Sequence, residues 1–235
     1  TKSGRILVQV PMATQKDVDS TIVDESTWEE LGTDKYCSKF PVYSVALTRN
    51  EDDGTTTIFA GNGDRFVSVW RKQESMNQYQ FLSTLGPHTG WVKAVAYHQT
   101  TKMLFSIGCN CIESWDCTTA TIRHCSKRKI ESSPDMGSTL SSDLLCLCVI
   151  KDDYLLSGGV DGRIHVWSLD PGVMQPLSSS RCHNGRVHAM TFSVALEWIF
   201  SVGHDGALVI SEVESQGLSM RLLGAHGVNG SPRLS

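Results

Sequence analysis

Four stretches of this chain read as one another: IFAGNGDRFVSVW (58–70), LFSIGCNCIESW (104–115), LLSGGVDGRIHVW (155–167) and IFSVGHDGALVIS (199–211). Each passes through an apolar pair, a small residue and a Gly-rich turn carrying Asp or Asn, then alternates up to a closing Trp or its substitute. The closing positions Trp70, Trp115, Trp167 and Ser211 are 45, 52 and 44 residues apart. The longer interval is accounted for by an insertion over 131–142.

Upstream of each stretch lies a second alternating run: VYSVALT (42–48), WVKAVAY (91–97), LLCLCVI (144–150) and RVHAMTF (186–192). Their period of two, with small and apolar residues, belongs to strands and not to a helix of period 3.6. Downstream come more polar runs, QYQFLSTL (78–85), TIRHCSKRKI (121–130) and GLSMRLL (217–223), suited to an outer edge strand. Each unit therefore predicts four antiparallel strands, a to d. Gly and Asp between b and c supply the positive φ and the local side-chain hydrogen bond of a tight hairpin. A repeat of roughly 40 to 45 residues with this content is a propeller blade. The stretch from Asp24 to Leu31 is the one segment with a helical reading.

At these positions the chain resembles the WD-repeat β-propeller family, over roughly residues 42–226. The family's His before strand a corresponds to His88 in HTGWV and His183 in HNGRV, its strand b Ser to Ser106, Ser157 and Ser201, and its turn acid to Asp64, Asp161 and Asp205, with Asn110 in the second unit. Its strand c Trp corresponds to Trp70, Trp115 and Trp167, and the terminal dipeptide is intact at Trp115-Asp116. The departures are Ala60 in place of the first Ser, no preceding His in units one and three, and Ser211 in place of the fourth Trp. The resemblance implies an all-β propeller of about four full four-stranded blades, at 42–87, 88–134, 135–182 and 183–225. Residues 1–41 would form a partial N-terminal blade and connection, since SGRILVQVP (3–11) reads like DGRIHVWSLDP (161–171). Residues 226–235 would be a tail, or the start of a truncated repeat opening at His226-Gly227. The family usually closes about seven blades over ~300 residues. Four units in 235 residues predict a fragment, or a ring completed by missing sequence or another chain.

The function implied is a non-catalytic scaffold presenting its loop face to protein or peptide partners, with no cofactor or metal. The alternative is a substrate-recruiting or regulatory propeller of a larger enzyme or ligase complex. In this family the residue just after the start of strand a lines the central mouth, which gives Tyr43, Lys93, Leu145 and His188. Trp91, a large aromatic at a loop edge, is either a packing plug or an interface anchor. His204 falls near His188 at the same mouth.

Three groups of residues have both a chemical and a structural reading. His183, Ser201 and Asp205 have the residue types of a hydrolytic triad, yet a triad needs an exposed nucleophile beside an oxyanion hole, and the chain has no G-x-S-x-G elbow. A structural network is expected there. Cys109, Cys111, Cys117 and Cys125 lack the C-x2-C pairing of zinc ribbons, so they and the alternating Cys146 and Cys148 are expected as structural thiols, with a minor redox reading for Cys109 and Cys111. The basic run Arg123, Lys127, Arg128 and Lys129 falls on an outer strand, where charge protects an edge.

Composition agrees with these choices. Twenty-five acidic against 21 basic residues give a net charge of -4, which offers no general attraction to nucleic acid or anionic membranes. No apolar run approaches the roughly 18 to 20 residues of a spanning helix, and TKSGRILVQV lacks the apolar core of a signal peptide. Eight cysteines, including Cys37 and Cys182, are dilute and read as reduced thiols of an intracellular, cytoplasmic or nuclear protein. The chain opens on Thr1, so organellar targeting stays open.

Overall fold

The computed structural model describes residues 39–76, 78–129, 143–151, 154–169 and 174–212 in full, and the backbone alone of residue 213 and of strands at 6–10, 27–31 and 220–227. The elements are all strands. β1 (Ile6–Val10) and β2 (Thr27–Leu31) pair antiparallel. The expected helix near Asp24–Leu31 is therefore corrected to a strand over its described part, where alternating Trp28 and Glu29 lie in register with Gln9 and Val8.

Four antiparallel four-stranded meanders follow in a propeller arrangement. The first is β3 (Val42–Arg49), β4 (Thr56–Asn62), β5 (Val67–Lys72) and β6 (Gln80–Leu85). The second is β7 (Val92–His98), β8 (Met103–Gly108), β9 (Cys111–Asp116) and β10 (Arg123–Lys129). The third is β11 (Leu144–Ile150), β12 (Tyr154–Gly159), β13 (Arg163–Ser168) and β14 (Pro176–Arg181). The fourth is β15 (Val187–Ser193), β16 (Trp198–Gly203), β17 (Ala207–Val213) and β18 (Met220–Gly227). β18 takes in His226 and Gly227, which face Leu208 and Ala207. Those two residues thus end the last blade instead of opening another repeat.

In the first, third and fourth blades the hairpin between second and third strands forms as the Asp and Gly there predict. The carboxylates of Asp64, Asp161 and Asp205 accept the backbone N–H two residues on, from Phe66, Arg163 and Ala207, at 3.1, 3.0 and 3.1 Å. The intervening residue, Arg65, Gly162 or Gly206, takes positive φ, as an Asp-started turn demands. At Gly162 a Cβ would also run into the His183 carbonyl oxygen.

The core lies between the blades. Phe59, Val67 and Val69 of the first blade meet Val92, Val95, Leu104 and Trp115 of the second. Phe105, Ile107 and Ile112 of the second meet Leu144, Leu155 and Trp167 of the third. Leu156, Ile164 and Val166 of the third meet Val187 and Ile199 of the fourth. Each such side chain taken out of water contributes roughly 1.5–3 kcal/mol, so each blade is stabilised chiefly by its neighbours. The two end faces repeat this chemistry in the open. Val45 and Leu47 on β3 are 50% and 58% exposed, and Trp198, Val202 and Leu208 on the fourth blade are also exposed.

One irregularity recurs in all four blades. The first strand carries one unpaired extra residue against the second, between Val42 and Ser44, Val92 and Ala94, Leu144 and Cys146, and Val187 and Ala189. The bulged residues are Tyr43, Lys93, Leu145 and His188. A bulge breaks the alternation and re-aims its side chain.

Candidate functional site

Those four bulges stand at the start of the innermost strands, on the end of the propeller that carries the Asp turns. At the first two blades they build a cluster. The Tyr43 and Trp91 rings stack with centroids 5.8 Å apart and planes 17° from parallel. Lys93 Nζ lies 4.0 Å from the Tyr43 centroid and 4.5 Å from that of Trp91. A cation over two ring faces is attracted by both quadrupoles. Burial pushes the Lys93 ammonium below its ordinary pKa, while Asp143 and Cys109 pull it back up.

Tyr43 is seated on the β4–β5 turn. A Cβ at Gly63 would lie 3.2 Å from Phe40 Cβ and 3.4 Å from Tyr43 Cε2, so the absent side chain lets these rings approach the backbone. Trp91 is 54% exposed and Phe40 51% exposed. Phe40 was not singled out from the sequence, although it directly precedes Pro41 and the first innermost strand. At the fourth blade the exposed His188 and His204 rings meet edge to face at 5.8 Å. Leu145 of the third blade is partly buried.

Beneath the mouth run the hydrogen-bonded chains of the repeats. In the second blade His88 Nδ1 lies 3.1 Å from the Arg65 carbonyl oxygen and Nε2 lies 2.7 Å from Ser106 Oγ, while Trp115 Nε1 donates to that Oγ at 2.8 Å. A carbonyl can only accept, which places the imidazole proton on Nδ1 and makes Nε2 the acceptor of the Ser106 hydroxyl. Neutral His88 suits this. Burial lowers its pKa, outweighing Glu113 and the Arg65 carbonyl, with Lys127 and His124 acting in the same sense as burial. Asn110 occupies the turn of this blade.

The other blades hold parts of the chain. Trp167 Nε1 donates to Ser157 Oγ at 2.9 Å in the third. In the first, Ala60 faces the place of that Ser, and Trp70 Nε1 is buried without a partner among the described residues. In the fourth, His183 Nε2 is 2.8 Å from Ser201 Oγ and Nδ1 3.1 Å from Asp205 Oδ1. The Ser211 hydroxyl, standing where a Trp would, is buried and has no partner among the described residues. Burial pushes the Asp205 carboxyl up, but N–H groups of Asn184 and Ala207 and the His183 ring outweigh it and hold it low.

The His183, Ser201 and Asp205 geometry is that of a hydrolytic relay, with one difference. Ser201 is 1% exposed and His183 2%, so no substrate carbonyl reaches the hydroxyl. Among the thiols, burial raises Cys117 and Cys146 to about 12 and Cys148 and Cys182 to about 11, and pushes Cys109 up as well, while Cys125 is exposed. On β10, Arg123 pairs with Asp116 at 2.7 Å and Lys127 with the buried Glu113 at 2.9 Å. Two cations of the basic run are thus committed within their own blade.

A family model described as WD domain, G-beta repeat matches residues 79–119 and 136–168. The chain carries WD repeats at these residues within a four-blade β-propeller. It is 27% identical over 118 residues to autophagy-related protein 16 of Arabidopsis thaliana, covering 49% of this chain and 21% of that one. It is also 27% identical over 180 residues to an F-box/WD-40 repeat-containing protein of Arabidopsis thaliana, covering 74% of this chain and 28% of that one. The WD-repeat chain thus spans about a quarter of the length of these curated relatives. Among solved structures, that of U3-55K matches with a TM-score of 0.59 at 17% identity over 78% of this chain and 53% of that one. A humanized mutant of the Chaetomium thermophilum Polycomb Repressive Complex 2 bound to the inhibitor GSK126 matches with 0.56 at 16% identity, over 80% and 41%. At such identities the structural matches speak for the fold alone.

Proposed function

We propose that this WD-repeat chain is a non-catalytic scaffold that docks protein or peptide partners on the end of the propeller carrying the bulged residues Tyr43, Lys93, Leu145 and His188. The observation that supports it most is the exposed aromatic pair of Tyr43, on a strand bulge, and Trp91, which directly precedes β7. Aromatic anchors held by packed strands bury much area at little ordering cost to the receptor. The WD-repeat match supports the general role, though fold alone does not assign a site. The buried state of Ser201 supports the non-catalytic part.

A second reading is supported by the F-box/WD-40 repeat-containing relative, in which such repeats are one part of a longer chain. The same face would then recruit a substrate to a larger enzyme or ligase assembly. The test common to both readings is comparative affinity capture from a lysate. Tyr43→Ala, Trp91→Ala, Lys93→Ala and His188→Ala together should remove proteins that the parent chain recovers, while Glu74→Ala, at the opposite end, leaves recovery unchanged. Equal recovery by all three proteins sinks the docking face.

A further inference from the structure

We propose that this face takes an acidic peptide segment, which sets a carboxylate on the Lys93 ammonium and an apolar side chain against the exposed Trp91 and Phe40 rings. The inference rests on the docking reading above and adds the chemistry of the partner.

The ring pair is already occupied by a cation. Lys93 Nζ sits within 4.5 Å of both centroids, so a lysine, methyl-lysine or arginine from a partner would meet a like charge. An aromatic pair of this kind ordinarily attracts cations; the chain's own ammonium turns it toward anions. Among the described residues no carboxylate pairs with Lys93 within the 4.0 Å of an ion pair. Asp143 acts on it electrostatically without forming such a pair. A partly buried ammonium held by two ring faces lacks the charged hydrogen-bond acceptor that would offset its desolvation.

The neighbouring carboxylates are turned inward. Asp64, Asp161 and Asp205 accept backbone N–H groups of their own turns, and Asp205 also accepts from Asn184 at 2.7 Å. Arg65 and Arg186, in the loops of the first and fourth blades, are exposed. In a chain of net charge -4, Lys93, Arg65 and Arg186 thus present cations here while the three turn carboxylates are engaged. Apolar area comes from Trp91 and Phe40, the combination that fits an acidic segment interrupted by an aromatic or aliphatic residue.

The test uses the full chain and three labelled, end-capped hexapeptides read by fluorescence anisotropy. The first is Asp-Glu-Phe-Asp-Glu-Leu; in the second every acid is its amide, and in the third every acid is Lys. The acidic peptide should bind, weaken with added salt, and lose at least tenfold in affinity on Lys93→Gln. Lys93→Arg, which keeps the charge, should retain most binding, and unchanged melting of both variants shows that the fold is intact. Failure of the acidic peptide to bind overturns the proposal, as does equal binding by its amide form or indifference to Lys93→Gln. Binding of the lysine peptide through Tyr43 and Trp91 would leave the docking face standing and remove only the acidic partner. Should no peptide bind while the lysate comparison also shows equal recovery, both readings fall.

Discussion

Ser106 does two jobs with one oxygen: it accepts the Trp115 indole N–H and donates to His88. Removing that oxygen strands two buried groups, each costing roughly 1–3 kcal/mol, so Ser106→Ala should destabilise by about 2–4 kcal/mol in chemical denaturation. The first blade provides the converse. Its Trp70 indole is buried without a partner among the described residues, and Ala60 stands where the other blades have Ser. Ala60→Ser restores an acceptor and should stabilise by about 1 kcal/mol; a loss of stability would mean that the hydroxyl does not fit. Protonation acts on the same groups. His88 and His165 have pKa values lowered from 6.5, in both cases mainly by burial. The unfolded chain therefore binds protons more readily, and stability that is full above pH 6.5 is lost as pH falls toward the depressed folded values. Melting temperature followed downward from neutral pH should decline, and His88→Gln should flatten that decline; an identical slope in the variant removes His88 as a source.

At the scale of strands, β10 shows what repeat reading catches and what it misses. Its place as a basic outer strand was legible, because a more polar run starts 6 to 8 residues after the closing position in three of the four units. Its partner was not: Glu113 lies fourteen residues away, and only the β9–β10 register brings it opposite Lys127. The carboxylate is buried, Lys127 Nζ lies 2.9 Å from one oxygen and His124 Nε2 3.3 Å from the other. Lys127→Met leaves the carboxylate poorly compensated. The ammonium is more than a third exposed, so solvent screening limits the loss to about 1–2 kcal/mol, less than the 3–5 of a fully buried pair. Lys127→Met combined with Glu113→Met should recover most of it in a double-mutant cycle, and additive losses would show that the pair does not interact. The mouth residues were legible through the family pattern, but the reason they point together was not. Alternation alone would send Tyr43 and Lys93 to a blade face, and the bulge that redirects them is a property of pairing, invisible in one strand. Phe40 escaped notice because nothing in the repeat precedes strand a by that offset. β14, with the polar sequence PLSSSR, carries no alternation and is defined by its pairing to β13.

For the whole molecule, the inter-blade cores and the open end faces are the same surface in two states. Val95 on β7 pairs with Ser106 as Val45 on β3 pairs with Ala60, so the two valines occupy equivalent places. Val95 is 6% exposed against the first blade, and Val45 is 50% exposed. A lysine at Val95 would bury an unpaired charge between two sheets and should cost at least about 3 kcal/mol, enough to unfold a marginal domain. At Val45 or Leu47 the same change on a solvent-exposed face should fall within about 0.5 kcal/mol and reduce self-association, since an exposed apolar strand face invites it. The pair of measurements separates two states of the protein in solution. If Val45→Lys and Leu47→Lys leave melting unchanged while Val95→Lys abolishes folding, the β3 face is open to water. If the β3 variants are destabilised as strongly as the Val95 variant, that face is covered in solution by a further blade or by another chain, and sedimentation of the parent protein against Leu47→Lys then distinguishes a second copy from additional sequence.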